Sequence, residues 1–390
     1  MQYRDLKKQY QVLKPRIDDA LNEVLNECNF ISGNQVKELE KRLAEYVGVK
    51  HCISCANGTD AIRLALMACG IGYGDAVFVP DFTFFASAEM PAALGATPVF
   101  VDVDAHSYNI DVKKLEEAII QVEKEGILHP QAIVGVNLFG QCADYYAIEA
   151  IAIKHNLYII EDAAQSFGGK IEDRRSCSFG DIATTSFFPS KPLGCYGDGG
   201  AVFTDNDVAA ALIRSYAIHG RGSDKYDNVR IGLNSRLDTL QAAILNVKLD
   251  AFENKELEAV NRIAEMYTEE LKEIVITPHL KRGYYSSWAQ YTIQLNSKDE
   301  RDYMQNSLAE YEIPTMIFYP KGMHRQLAFK EINQYGTLTT TERLCDTVLS
   351  IPIHPYMSEE DVFTVVSAIK ECLLNYAASK NTMNKKLYMV

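Results

Sequence analysis

The stretch that decides how this chain is interpreted reads TSFFPSKPLG from Thr185 to Gly194, and it continues as CYGDGG to Gly200. One lysine, Lys191, stands between hydroxyl residues and a glycine-rich run, with aromatic and proline neighbours. Those neighbours are hard to reconcile with a flexible surface loop, so the pattern indicates a fixed, partly desolvated lysine. The serines, including Ser186, suit a phosphate, and the glycines suit a tight turn against a planar ring. Such a lysine is typical of covalent catalysis.

A second stretch, IEDAAQ from Ile160 to Gln165, closes a run of buried apolar residues. Ligands of parallel sheets bind where such strands end. A carboxylate at Asp162 can keep a pyridinium nitrogen protonated, because an opposite charge favours the ionised form. Gln165, one turn further on, can reach a ring hydroxyl. A solvated acid at a strand end is the alternative interpretation.

The turn NGTD, from Asn57 to Asp60, lies between a predicted strand and a predicted helix. Gly58 lets the backbone approach a ligand, and the unpaired N–H groups from Thr59 onward favour an anion. An ordinary helix cap is the alternative when the turn is taken alone. Beside Lys191 and Asp162, the turn completes the parts of a pyridoxal 5′-phosphate (PLP) site.

Two further patterns can be explained by packing in the core. The aromatics Phe82, Phe84 and Phe85 follow a predicted strand, and one of them can stack on a cofactor ring while at least one packs in the core. The pair in CISC, Cys52 and Cys55, lacks the second pair that a structural zinc needs, and we interpret it as core thiols. We expect no metal site.

Composition bounds the class of protein. The 390 residues carry 39 Lys and Arg against 52 Asp and Glu, a formal net charge of −13, which argues against nucleic-acid binding. Nine cysteines, an odd number with scattered spacing, predict reduced thiols and a cytoplasmic protein. No apolar run approaches the roughly 18 residues of a membrane span.

Strands and helices alternate from residue 51 to residue 204, which predicts an α/β layer with a mostly parallel sheet. Amphipathic helices are predicted over 15–26 and 35–47, with Pro15 at a helix start, and a long helix from Ser235 to about Glu270. The C-terminal part mixes strands, such as 289–295 and 315–319, with helices at 301–311 and 359–374. We predict a large domain over 1–250, a smaller α+β domain over 251–377, and a tail over 378–390.

The motifs at Gly58-Thr59-Asp60-Ala61, 161–165, 186–191 and 232–236 resemble the DegT/DnrJ family of PLP-dependent nucleotide-sugar aminotransferases. The resemblance runs from Asp5-Leu6 to about Ser367. It implies the aspartate-aminotransferase fold (PLP fold type I) and a homodimer with shared active sites. It also implies L-glutamate and a keto-sugar nucleotide as substrates.

The resemblance also assigns roles to individual residues. Lys191 would bind the cofactor covalently, with Asp162 on the ring nitrogen and Gln165 on the ring hydroxyl. The remaining assignments put Gly58, Thr59 and Ser186 on the phosphate, Phe84 on the ring face, Asn234 on the neighbouring subunit's cofactor, and His324, His219 and Tyr319 near the sugar.

The lysine at position 191 argues against the dehydratases of this fold, which have histidine there. Within the aminotransferases, 137–144 and 186–200 look closest to enzymes that aminate C3 of a UDP-2-acetamido-2-deoxy-3-keto-hexuronic acid. Amination at C4 of a 4-keto-6-deoxy sugar is the alternative within the chemistry. A PLP-binding regulator without turnover is the alternative of another class.

Overall fold

The computed structural model describes the backbone of residues 1–387 and the side chains of residues 1–380. Within that part of the chain the backbone forms twelve α-helices and twelve strands. The helices are α1 Leu6–Glu27, α2 Asn34–Val47, α3 Gly58–Ala68, α4 Phe85–Ala93, α5 Val112–Glu125, α6 Tyr145–His155, α7 Asp207–Tyr216, α8 Thr239–Ala251, α9 Leu257–Leu271, α10 Lys298–Glu310, α11 Thr339–Thr347 and α12 Glu359–Leu387. The strands are β1 His51–Cys55, β2 Asp75–Pro80, β3 Thr97–Val101, β4 His129–Val136, β5 Tyr158–Asp162, β6 Lys170–Ile171, β7 Arg174–Arg175, β8 Ile182–Ser186, β9 Gly200–Thr204, β10 Tyr284–Tyr285, β11 Tyr291–Gln294 and β12 Val348–Ile351.

Seven strands form the main sheet, in the order β1-β9-β8-β5-β4-β2-β3. The strands from β8 to β3 run parallel to one another, whereas β9 pairs antiparallel with both β8 and β1. Apolar side chains fill both faces of the parallel strands, as expected when helices cover both sides. The sheet is therefore the mostly parallel mixed sheet that the sequence predicts.

A second core lies in the C-terminal part, where α9, α10 and α12 pack on the two-stranded sheet of β11 and β12. Its largest buried side chains include Tyr267 and Tyr291, whose rings lie 5.2 Å apart. This core corresponds to the predicted α+β unit. The boundary at 250/251 falls next to α8's end, where a π-helical turn, Phe252–Glu256, joins α8 to α9, and the exact division stays a prediction.

Four local predictions differ from the structure. The first helix begins at Leu6, because Asp5 caps it by accepting from the N–H of Lys8 at 2.7 Å, so Pro15 lies inside the helix and does not start it. The long helix begins at Thr239 and not at Ser235, because residues 234 and 238 form extended bridges with residues 218 and 31.

The other two differences concern the C-terminal part. Residues 315–319 contribute a single bridge, Met316 to Ser350, instead of a strand. Helix α12 continues past residue 377 to Leu387, so the range set apart as a tail begins as helix, and residues 388–390 lie outside the described residues. No helix within residues 1–387 combines the length and apolarity that crossing a bilayer requires.

Candidate active site

A cavity of about 390 Å³ lies at the carboxyl edge of the parallel strands. Asp162 ends β5 and Ser186 ends β8, while α3 starts beside them at Gly58. We call this space the Lys191 cavity, and the residues that line it are Asn57, Gly58, Thr59, Ile62, Thr83, Phe84, Ala86, Val136, Asp162, Ala164, Gln165, Ser186, Phe188, Ser190, Lys191, Asp198, Gln290, Phe318 and Tyr319.

The lysine loop is fixed by its own backbone. Phe187 donates its N–H to the carbonyl of Gly199 at 2.7 Å, and Cys195 donates to the carbonyl of Phe187 at 2.8 Å. Gly194 is required in this turn, because a Cβ there would lie 2.6 Å from the carbonyl oxygens of Phe188 and Pro189. The sequence between β8 and β9 therefore folds into one conformation that presents Lys191 to the cavity.

Burial changes the chemistry of the lysine. Desolvation lowers the pKa of Lys191 from 10.5 to about 8, partly opposed by the carboxylate of Asp162 and aided by the charge of Arg4. The Arg4 guanidinium also donates to the backbone carbonyl of Lys191 at 3.1 Å. A substantial neutral fraction of the amine near neutral pH suits both nucleophilic attack and proton transfer.

Asp162 is held at both carboxylate oxygens. Ser87 donates its Oγ–H to Oδ2 at 2.7 Å, and the N–H of Ala164 reaches Oδ1 at 3.2 Å. Burial raises the pKa of Asp162, and these two hydrogen bonds with the charge of Lys191 pull it back. A buried carboxylate of this kind is suited to pair with a protonated ring nitrogen.

The adjacent acid, Glu161, points to the other side of the strand. Its carboxylate accepts from the side chains of Asn137 and Ser176 and from the N–H groups of Cys177 and Phe179, at 2.7 to 3.0 Å. Burial raises its pKa to about 7. Glu161 therefore anchors the segment 176–179 to the sheet and takes no part in the cavity.

Gln165 is oriented by three contacts. Its Oε1 accepts from the N–H of Phe139 at 2.7 Å, its Nε2 donates to Tyr319 Oη at 3.0 Å, and its backbone carbonyl accepts from Ser287 Oγ at 2.9 Å. Tyr319 lies in the C-terminal part of the chain, so a residue distant in sequence fixes this amide.

Gly58 and Ser186 form a part of the cavity wall with small side groups, which we call the phosphate cradle. Asn57 caps α3 by accepting from the N–H of Asp60 at 2.8 Å, which leaves the first amides of the helix open. A Cβ at Gly58 would lie 2.6 Å from Ser186 Cβ, and a Cβ at Gly200 would lie 2.5 Å from the backbone of Asn57. Close backbone approach, a helix N-terminus and a serine hydroxyl are the parts that hold a phosphate.

The aromatic cluster divides as expected between core and cavity. Phe82 is fully buried, and Phe85 stacks on Phe329 with ring centroids 5.1 Å apart. Phe84 is 54% exposed, lines the cavity, and has its ring centroid 6.3 Å from that of Tyr319. Of the three phenylalanines, Phe84 is therefore the one available to cover a bound ring, and that contact stays a prediction.

Three predicted residues are absent from the lining of this cavity. The His324 ring lies with Nδ1 2.6 Å from Asp81 and Nε2 3.4 Å from Glu342, and the first contact is the chief cause of its raised pKa. His219 lines a separate open pocket, and Asn234 is exposed. Their proposed contacts with sugar or cofactor stay predictions.

The structure also adds residues that the sequence patterns missed. Ser87 and Arg4 contact Asp162 and Lys191 from 75 and 187 positions away. Gln290 lines the cavity from the run before β11. Ser87 is one of two polar residues in the mainly apolar helix α4, which was its available signal, and the other two residues carried none.

The residues of the cavity fit PLP. Lys191 offers a nucleophilic amine, Asp162 a buried carboxylate, Gln165 a fixed amide, and the cradle at Gly58 and Ser186 a phosphate site. The described residues contain no group of three or more potential metal ligands. Fold and cavity together define a PLP-dependent enzyme of fold type I.

Comparison with known proteins gives the family. Residues 11–370 match the DegT/DnrJ/EryC1/StrS aminotransferase family, and the chain belongs to it. The UDP-2-acetamido-2-deoxy-3-oxo-D-glucuronate aminotransferase of Pseudomonas aeruginosa is 45% identical, over 95% of this chain and 99% of the relative.

Similar solved structures support the same family assignment. A DegT DnrJ EryC1 StrS aminotransferase from Brucella abortus is 50% identical, with a TM-score of 0.93 over 95% of this chain and 99% of that chain. NtdA from Bacillus subtilis, solved with bound cofactor PMP, is 27% identical, with a TM-score of 0.84 over 93% and 82% of the two chains. The protein is a PLP-dependent aminotransferase.

The lowered pKa of Lys191 predicts how the apoprotein captures PLP. The rate should rise with pH through about 8, because the amine is neutral above its pKa. Arg4→Gln removes a charge that lowers this pKa, so the profile should move to higher pH. A shift of half a unit to one unit would slow capture at pH 7 about threefold to tenfold. Stopped-flow absorbance measures the rate.

Arg4→Lys is the matched control, because it keeps the charge and should keep the profile. If Arg4→Gln and wild-type protein gave superimposable pH profiles, the charge of Arg4 would have no influence on Lys191.

The phosphate cradle predicts that Gly58→Ala weakens PLP binding about tenfold or more, because the added methyl group collides with Ser186. Gly72→Ala is the control, since its Cβ would meet only a carbonyl oxygen 3.9 Å away. Fluorescence titration of the two apoproteins with PLP compares them. Equal affinities would show that no ligand occupies the space beside Gly58.

Proposed function

We propose that the protein transfers an amino group from L-glutamate to C3 of a UDP-2-acetamido-2-deoxy-3-keto-hexose or hexuronate, for the synthesis of a bacterial-type surface glycan. The observation that carries the proposal is Lys191 facing Asp162 within a cavity closed by Gln165 and Tyr319. The Pseudomonas aeruginosa relative supports the choice of sugar.

Each residue of the site has a separate role in the proposed reaction. Bound PLP supplies an aldehyde that takes up the amino group and a ring that delocalises the electron pair left when a C–H bond breaks. Lys191 Nζ accepts and returns the proton, which a pKa of about 8 permits near neutral pH. Asp162 keeps the ring nitrogen charged, and the amides of Gly58 and Thr59 with Ser186 hold the phosphate. One site serves both substrates in turn.

A nucleotide diphosphate needs cations that this cavity lacks. Among its lining residues, Lys191 is the one with a basic side chain. A second, open pocket of about 1030 Å³ lies on the segment from Ile218 to Arg236, in a chain whose net charge is −13. Its basic side chains are His219, Arg221, Lys225, Arg230 and Arg236.

A homodimer with shared active sites would bring the Lys191 cavity of one chain next to the basic pocket of the other. Asn234 and His219 belong to the segment that carries the basic pocket, and both are exposed. In a symmetric dimer this segment would close the partner's cavity, with Asn234 on the phosphate of the cofactor and the basic side chains on the nucleotide. His324 would lie near the sugar. A cytoplasmic location fits the nine free cysteines.

Mixed dimers test whether each active site is built from both chains. Lys191→Ala and Asn234→Ala should each impair turnover, and mixing them should restore it, because one site of each mixed dimer escapes both changes. Half of randomly exchanged dimers are mixed, so activity should approach about a quarter of wild type. No recovery, with mixed dimers confirmed by native mass spectrometry, would place Asn234 in its own chain's site.

A panel of keto-sugar nucleotides tests the reaction. Purified enzyme, L-glutamate and the UDP-2-acetamido-2-deoxy-3-keto sugars should give a 3-amino product and 2-oxoglutarate, identified by mass spectrometry and NMR. Turnover confined to UDP- or dTDP-4-keto-6-deoxy sugars would show that the enzyme aminates C4 and not C3. If glutamate left the absorbance of the bound cofactor unchanged, L-glutamate would not be the amino donor.

A further inference from the structure

Gln290 carries a buried polar atom that the protein leaves without a partner. Its side chain lines the Lys191 cavity, and its Oε1 has no hydrogen-bond donor among the described residues. Buried amide oxygens are nearly always satisfied in folded proteins, and an unsatisfied one in a ligand cavity indicates a group that binds there. The missing donor is therefore expected to come from a ligand.

The backbone of Gln290 is fixed relative to the rest of the site. Its N–H reaches the carbonyl of Phe139 at 3.4 Å, and the N–H of Phe139 in turn donates to Gln165 Oε1 at 2.7 Å. The flanking residues Ala289 and Tyr291 are 3% and 0% exposed. Gln290 therefore enters the cavity from a wall that also orients Gln165.

The polar neighbours on that wall already have partners. Gln165 Nε2 donates to Tyr319 Oη at 3.0 Å, and among the described residues neither of these side chains is hydrogen-bonded to Gln290 Oε1. On the proposed function, the cofactor's polar groups are also accounted for, by Asp162, Gln165 and the cradle at Gly58. The remaining ligand is the substrate.

The chemistry of an amide oxygen selects between the two substrates. The carboxylates of L-glutamate present acceptors, which a carbonyl oxygen repels, and the α-amino group is directed at the cofactor. A sugar hydroxyl or the N–H of an acetamido group is a neutral donor that matches an amide acceptor. A neutral side chain also leaves the charge balance between Lys191 and Asp162 unchanged.

We propose that Gln290 is a specificity-determining residue whose Oε1 accepts a hydrogen bond from a hydroxyl or acetamido N–H of the keto sugar. The proposal rests on the proposed function, because it assumes a sugar nucleotide as the acceptor substrate. It assigns Gln290 to the second half-reaction and leaves the first, with glutamate, independent of it.

Gln290→Met tests this, because methionine keeps the length of the side chain and removes the amide. Stopped-flow absorbance of the cofactor measures each half-reaction separately. We expect the keto-sugar half-reaction to slow about tenfold to a hundredfold and the glutamate half-reaction to stay within about twofold. Gln290→Glu retains an acceptor oxygen and should recover part of the loss in binding of the amino-sugar nucleotide, a measurement that does not depend on proton transfer at Lys191. Gln121→Met, on the exposed side of α5, is the matched control.

Binding provides a readout that does not depend on turnover. In calorimetry, Gln290→Met should weaken binding of the amino-sugar nucleotide product by a similar factor and leave the affinity for UDP unchanged. Equal losses in both half-reactions, unchanged kinetics, or weaker binding of UDP itself would each overturn the assignment. If wild-type enzyme turned over only 4-keto sugars, the choice of C3 would fail, and the same comparison on those sugars would still decide the role of Gln290.

Discussion

The site depends on two opposite charges that the fold holds in one poorly solvated space. Burial raises the pKa of Asp162 and lowers that of Lys191, and each group partly restores the other's charge. Neither would keep a useful protonation state there alone, because desolvation favours the neutral form of both. The parallel sheet makes the arrangement possible, since β5 ends at Asp162 beside β8, which leads through Ser186 into the lysine loop. Perturbed titrating groups at such an edge are typical of catalytic sites.

The C-terminal part of the chain completes this arrangement. Ser287 and Tyr319 hold Gln165 from the backbone side and the side-chain side, while Gln290 is anchored through Phe139. These contacts couple the second core to the sheet edge, so a displacement between the two cores would change the orientation of the Gln165 amide. The C-terminal part therefore positions groups around the ligand space as well as covering it.

Features that are encoded by contiguous motifs could be predicted from the sequence, whereas features that depend on tertiary contacts could not. The lysine loop, the acid at Asp162 and the turn at Gly58 each combine a special backbone with a reactive residue within a few positions, and the α/β alternation shows in the apolar runs. Strand β8 was missed because three of its five residues carry hydroxyl side chains. The cap at Asp5 was overlooked because proline is typical of helix starts, so Pro15 indicated the first residue of the helix. Ser87, Arg4 and Gln290 reach the site through long-range contacts, which no local pattern records.

The distribution of cations gives a physical reason for a site completed by a second chain. Any anion bound beside Lys191 raises the pKa of that amine and reduces its neutral fraction, whereas the charge of Arg4 acts in the opposite direction. A diphosphate held within the cavity would therefore work against proton transfer. On the proposed assembly, the basic pocket between Ile218 and Arg236 neutralises the diphosphate at a distance from Lys191. The protonation of Lys191 would then depend on nearby groups, which include Asp162, Arg4 and the cofactor phosphate, and the diphosphate would contribute to affinity with little effect on it.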